Sequence, residues 1–156
     1  MNLVYAHEKP PAGDIRSIFL AGPTPQKNSE IKSWRPEAIR LFRNLGHNGT
    51  VFIPENRNPK DEILGVKQVY WEHEMLEKAD CIMFWVPRIK VKLPGLTTNV
   101  EFGWWVSSGK VVLGAPKSAY KVNYLRILGR KYRIPQSWTL PITIQNAIKL
   151  AEERRI

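Results

Sequence analysis

The chain has a single cysteine in 156 residues, Cys81, and it sits inside an apolar run. One thiol forms no intrachain disulfide, and no Cys/His grouping has metal-ligand spacing. Neither a disulfide-stapled scaffold nor a zinc module is therefore expected. No apolar run approaches the ~20 residues of a membrane span. The N-terminal stretch Met1 to Glu8 has no signal-peptide pattern. A reducing, cytoplasmic setting with no membrane partner is the expectation. Repeats, low-complexity segments and long linkers are also missing, so residues 1–156 are read as one domain. Neither G-x-x-x-x-G-K-[ST] nor G-x-G-x-x-G occurs, which removes the standard phosphate loops. Like charges never run in a block of five or six; the densest basic groups are Arg88-Lys90-Lys92 and Arg126-Arg130-Lys131-Arg133.

What is present is basic and apolar together. Lys and Arg number 24 against 14 acidic residues, a net charge of +10 that fits either an anionic partner or a merely basic soluble protein. Hydrophobic residues make up 43% of the chain, with six Trp, enough for a real core. Leu3 to Ala6 reads as a short edge strand, followed by a breaker from Lys9 to Asp14. Ser17 to Ala21 reads as a buried strand stopped by Gly22-Pro23-Thr24-Pro25. Ser33 is placed to cap a helix running to about Leu45, with Pro36 in its first turn. Thr50 to Ile53 is a second buried strand, and a polar loop from Glu55 to about Gly65 leads to a helix from Val66 to Lys78. Cys81 to Val86 is continuously apolar, as in a strand covered on both faces. A helix from Thr98 to Ser108, closed by Gly109, then precedes a strand at Val111 to Gly114. The tail holds a basic helix near Lys121 to Lys131, a short strand around Trp138, and an amphipathic helix from Thr143 to Arg154. The alternation gives an α/β fold, a Rossmann-like or flavodoxin-like parallel sheet of about five strands with helices on both faces.

In such a sheet, three loops meet at the carboxyl edge, where ligands bind: Gly22 to Pro25, the segment after Ile53, and Pro87 to Thr98. Gly22 would let a ligand approach the backbone, although a Gly-Pro turn is also ordinary punctuation. Glu101 carries two readings. Thr98-x-x-Glu101 has the spacing of a capping box, in which Glu101 reaches back to the backbone of the cap. Alternatively, a first-turn carboxylate held anionic by the helix dipole would make a nucleophile. Glu72 lies four residues before Leu76 and shares its inward face, so it is paired or functional. Glu74, Glu77 and Lys78 read as solvated, Asp80 as a local turn or cap residue, and His73 as pointing elsewhere. Two carboxylates at the mouth of an α/β sheet suggest glycosyl chemistry, one attacking the anomeric carbon and one managing protons.

The segments Ile18-Phe19-Leu20-Ala21-Gly22-Pro23, Glu72 with Leu76 to Asp80, Glu101-Phe102-Gly103 and Gly109-Lys110-Val111-Val112 resemble, in order, those of the nucleoside 2-deoxyribosyltransferases. The resemblance spans Ile18 to Gly114. It implies Glu101 as nucleophile, forming a deoxyribosyl ester, and Glu72 in place of the family's proton-handling Asp. It also implies Gly22, Pro23 and Thr24 beside the nucleobase, and Gly95 to Asn99 beside the sugar and its 5′ group. No cofactor or metal is implied. A deoxynucleoside or deoxynucleotide and a free base would be the partners, with a homo-oligomer and no nucleic acid. Gly95 stands where the family carries a sugar-side Asp. The related deoxynucleoside-monophosphate N-glycosidases place a small polar residue there. With Arg88, Lys90, Lys92, Thr97 and Thr98 nearby, hydrolysis of a monophosphate is the alternative reading. A third is a noncatalytic nucleotide- or nucleic-acid-binding module with Glu101 as a cap.

Overall fold

The computed structural model describes residues 1–13, 16–26, 29–58 and 65–154. Part of the expected polar loop, at 59–64, and Asp14 of the first breaker lie outside them. Strands β1 (Asn2–Tyr5), β2 (Ile18–Ala21), β3 (Thr50–Ile53), β4 (Cys81–Trp85), β5 (Val111–Gly114) and β6 (Gln136–Ser137) alternate with helices from β2 onward. The helices are α1 (Arg35–Asn44), α2 (Gly65–Lys78), α3 (Leu96–Trp105), α4 (Asn123–Lys131) and α5 (Leu140–Glu153). The sheet order is β1-β3-β2-β4-β5-β6, every pairing is parallel, and β1 and β6 form its edges. This is the expected architecture, with six strands where about five were read.

Both faces of the sheet are covered, which is why its central strands are apolar at every position. Phe19, Phe52, Ile82, Phe84 and Leu113 point to one side, against Met75 and Leu76 of α2, Phe102 of α3 and Leu125 of α4. Ile18, Leu20, Val51, Met83 and Val112 point to the other, against Ala38 and Phe42 of α1 and Ile144 and Ala147 of α5. Phe84 and Phe102 meet edge to face at 5.1 Å, fixing α3 over β4.

Polar locks tie the strand starts together. Asp80 is not a local cap: its carboxylate accepts from the Ser17 backbone N–H at 2.8 Å and the Ser17 hydroxyl at 2.9 Å, joining the starts of β2 and β4. Buried Lys110 donates to the carbonyls of Leu76, Glu77 and Ala79 at 2.7–3.1 Å. It thereby satisfies the open end of α2, where a cation also suits the dipole. The Gly109-Lys110 signature is thus a helix-capping device.

Several helix starts differ from expectation: α5 begins at Leu140, three residues before the expected Thr143. The cap of α1 is Trp34, although Ser33 still accepts from the Arg35 N–H at 3.2 Å. More important, α3 begins at Leu96 and not at Thr98. Its cap is Gly95, in the left-handed region at φ 59°, and no side chain caps it. Thr98 lies inside the helix and Glu101 in its second turn, so the capping-box reading and the first-turn placement of Glu101 are both overturned. Helix α3 also ends earlier than expected, at Trp105.

Candidate active site

At the carboxyl edge, the loops after β2, β3 and β4 enclose a cavity of about 270 Å³. Its lining includes Gly22, Pro23 and Thr24 after β2, Pro54 after β3, Lys92 and Pro94 to Thr98 after β4, and Glu72 and Glu101 from the helices. The three loops read from the sequence do meet. The size lies near the lower end for small-ligand sites.

Gly22 is required for a reason other than ligand approach. At φ 141°, a Cβ on it would collide with the Trp85 carbonyl oxygen and come within 3.1 Å of the Trp34 ring. The neighbouring strand, not a bound molecule, excludes a side chain here. The turn is held further by Trp34, whose indole N–H donates to the Pro23 carbonyl at 3.2 Å.

The residue that organises this edge is Arg35, and sequence reasoning missed it. Its guanidinium is only 1% exposed. It donates to the carbonyls of Leu20 (3.1 Å) and Gly22 (2.9 Å), to the Thr24 hydroxyl (2.9 Å) and to the Glu55 carboxylate (2.7 Å). The fork of guanidinium donors suits convergent acceptors from β2, the next turn and the loop after β3. One signal was available: a cation in the first turn of a helix opposes the macrodipole, so some other interaction must hold it there.

Both carboxylates are pushed above the ordinary carboxylate range. Burial raises Glu101 to about 7, the negative charge of Glu72 adds to the rise, and Arg35 opposes it. Burial also raises Glu72, while a hydrogen bond from Gln68 and the charge of Arg35 pull the other way. The Gln68 amide donates to Glu72 at 2.7 Å from one helical turn earlier, an i, i+4 contact that fixes the side chain. The expected dipole effect on Glu101 does not dominate, because the group sits beyond the first turn and is desolvated. Two facing carboxylates with raised proton affinity are the kind of pair that can supply an acid and a nucleophile.

The remaining candidates divide. Gly95 and Thr98 line the cavity. A Cβ on Gly95 would come within 2.9 Å of Pro23, so this corner is filled by the proline. Thr98 is 3% exposed and turns into the cavity beside the uncapped start of α3. Arg88 and Asn99 are not in the lining. Arg88 is buried behind the loop and donates to Asn99 Oδ1 (2.6 Å), the Lys121 carbonyl (3.2 Å) and the Gly95 carbonyl (3.5 Å). It braces the loop rather than facing the cavity. His73 lies on the outside of α2, edge-on to Trp104 at 5.3 Å. Among the described residues, no group of three or more His, Cys, Asp or Glu is placed to hold a metal ion. Nor is any helix long and apolar enough to cross a membrane.

The model of the family described as nucleoside 2-deoxyribosyltransferase like matches residues 15–119, which include β2 to β5 and every residue lining the cavity. The chain belongs to that family. No curated protein matches it significantly. Within the family frame, the matched segments acquire physical reasons. Gly22-Pro23 is shaped by Trp85, Gly109-Lys110 caps α2, and Glu72 and Glu101 are the carboxylates of the cavity.

Proposed function

We propose that the chain cleaves the N-glycosidic bond of a 2′-deoxynucleoside and transfers the deoxyribosyl group to a second base. The observation that supports this most is the pair of half-buried carboxylates, Glu72 and Glu101, with raised proton affinity on one cavity at the sheet's carboxyl edge. The ionised Glu101 attacks C1′ as the C1′–N bond breaks, and protonated Glu72 gives its proton to the departing base. The product is an ester between Glu101 and C1′ plus a free base. An incoming base then attacks C1′ from the vacated side, Glu72 takes its proton, and the ester oxygen leaves as the Glu101 carboxylate. Two inversions give net retention. The positive charge of Arg35 lowers the proton affinity of both carboxylates and so favours the ionised nucleophile. Incubation with a deoxynucleoside and a different free base should give the exchanged nucleoside, and Glu101→Ala should abolish it. Absence of exchange with both purine and pyrimidine pairs argues against transfer.

A second reading, hydrolysis of a deoxynucleoside 5′-monophosphate, is favoured by the corner around Gly95. Position 95 carries no carboxylate, Lys92 lines the cavity while pairing with Glu30 at 3.4 Å, and the buried Thr98 lies beside an uncapped helix start, an arrangement suited to a phosphate. Release of base and sugar phosphate without any acceptor base would select it. We also propose a homo-oligomer built on the outer faces of α2 and α3. Val66, Val69, Tyr70, Leu96, Val100 and Trp104 are each at least 46% exposed there, and a helix face this apolar marks an interaction surface. Sedimentation of the wild type against Val100→Glu tests this.

A further inference from the structure

A wider concavity, about 570 Å³, lies between α4 and β6, lined by Asn123, Arg126, Ile127, Arg130, Gln136 and Trp138. Its electrostatics follow from a run of sequence. From residue 102 to residue 151 the chain has no Asp or Glu, while eight Lys and Arg residues fall in that span. The fold brings the middle of this acid-free run together as one wall.

Arg126 shows how far the charge is left uncompensated. It is 5% exposed, yet its guanidinium meets only neutral acceptors, the carbonyls of Ala115 and Ser137 at 2.9 Å and Gln136 Oε1 at 3.4 Å. Its Nε is buried without a hydrogen-bond partner. A second cation, Arg130, stands exposed one turn along α4 and lines the same groove. A buried cation normally has an anion beside it; among the described residues no carboxylate meets this one. Arg126 also stacks 3.5 Å from the centroid of the Trp138 ring, holding the indole rigid while 49% of that residue stays exposed. Gly129 matters to the shape: a Cβ there would come within 2.8 Å of Gln136 Nε2.

An ordered, half-exposed aromatic face beside unneutralised cations and two amide side chains suits a planar ring carrying a phosphate. Because the groove is open and follows α4 from Asn123 to Arg130, about 10 Å at 1.5 Å per residue, it suits an extended strand more than an enclosed monomer. We propose that the α4–β6 groove binds single-stranded nucleic acid, with a base stacked on Trp138 and the backbone passing Arg130. This departs from the expectation of no nucleic-acid partner that came with the family resemblance. It does not depend on the proposed glycosyl chemistry.

The test is fluorescence anisotropy of a labelled deoxythymidine oligomer of about 12 nucleotides, titrated with the full chain at several salt concentrations. Wild type should bind at low salt with affinity falling as salt rises. Trp138→Ala should weaken binding about tenfold through lost stacking. Arg130→Glu should weaken it and flatten the salt dependence. Arg43→Glu makes the same charge change on α1, across the sheet, and should have little effect; Glu101→Gln should bind as wild type. Equal losses from Arg130→Glu and Arg43→Glu would reduce the binding to net charge and overturn the proposal. So would the absence of binding at low salt, or competition by thymidine monophosphate as effective per nucleotide as by the strand. A dimer that Trp138→Ala dissociates would show a second copy filling the groove, and would likewise refute it.

Discussion

Replacing Glu101 by Gln should make the protein more stable, and only where the carboxyl would otherwise ionise. In the folded state the group titrates at about 7 against its ordinary 4.5, chiefly because it is buried. A raised folded-state pKa contributes stability that is complete below pH 4.5 and is lost as pH rises through 7. The gap corresponds to about 3 kcal/mol as an upper bound, since each pKa unit is about 1.4 kcal/mol. Glutamine has the same shape and never ionises, so it removes this penalty. Loss of the Glu101 charge also relieves Glu72, which faces the same cavity. For a chain of this length, 3 kcal/mol is about 6–12 °C in Tm. Thermal unfolding of both proteins at pH 8 and at pH 5 isolates the effect to this carboxylate pair, because titrations away from the cavity cancel within each pH. The variant should melt several degrees higher at pH 8, and the difference should shrink toward zero at pH 5. Equal melting temperatures at pH 8, or a less stable variant there, would refute the claim that burial strains the ionised carboxylate.

Other consequences follow from the same geometry. Because Glu101 must lose its proton before it attacks, the acid limb of kcat/KM should fall near pH 7; a flat profile from pH 6 to 8 contradicts that role. Arg35→Met removes one partner of a buried ion pair and leaves carbonyls unmet, so it should cost about 3 kcal/mol or more in denaturant unfolding. Losing that charge raises the proton affinity of both carboxylates, so any residual activity should have its acid limb moved upward. Gly22→Ala should unfold or severely destabilise the protein, because the Trp85 carbonyl occupies the needed space. Gly103→Ala in α3 meets open space and should stabilise it by up to about 1 kcal/mol in the same assay.

The strands were legible because burial on both faces leaves only apolar residues in Ile18 to Ala21, Val51 to Ile53 and Cys81 to Trp85, a pattern independent of distant context. Glu72 was legible from its spacing to Leu76, since helical periodicity survives in one dimension. The start of α3 was not. Thr98-x-x-Glu101 matches a capping box by spacing, but a glycine three residues earlier adopts φ 59° against Pro23 and opens the helix before Thr98 arrives. Arg35 was invisible for a related reason. Its acceptors lie at residues 20, 22, 24 and 55, and only the folded sheet edge brings them to one guanidinium. Arg88 shows the converse: near the cavity in sequence, it braces the loop from behind.

The central claim is that Glu101 becomes covalently bonded to the sugar. A 2′-fluoro-2′-deoxynucleoside, whose electron-withdrawing fluorine slows breakdown of the ester, should trap it. After brief incubation, acid quenching and proteolysis, mass spectrometry should find the mass of the fluorosugar on the peptide carrying Glu101, and none in Glu101→Gln. Release of free base with no adduct on Glu101, or an adduct on Glu72 instead, would contradict the assignment of the nucleophile.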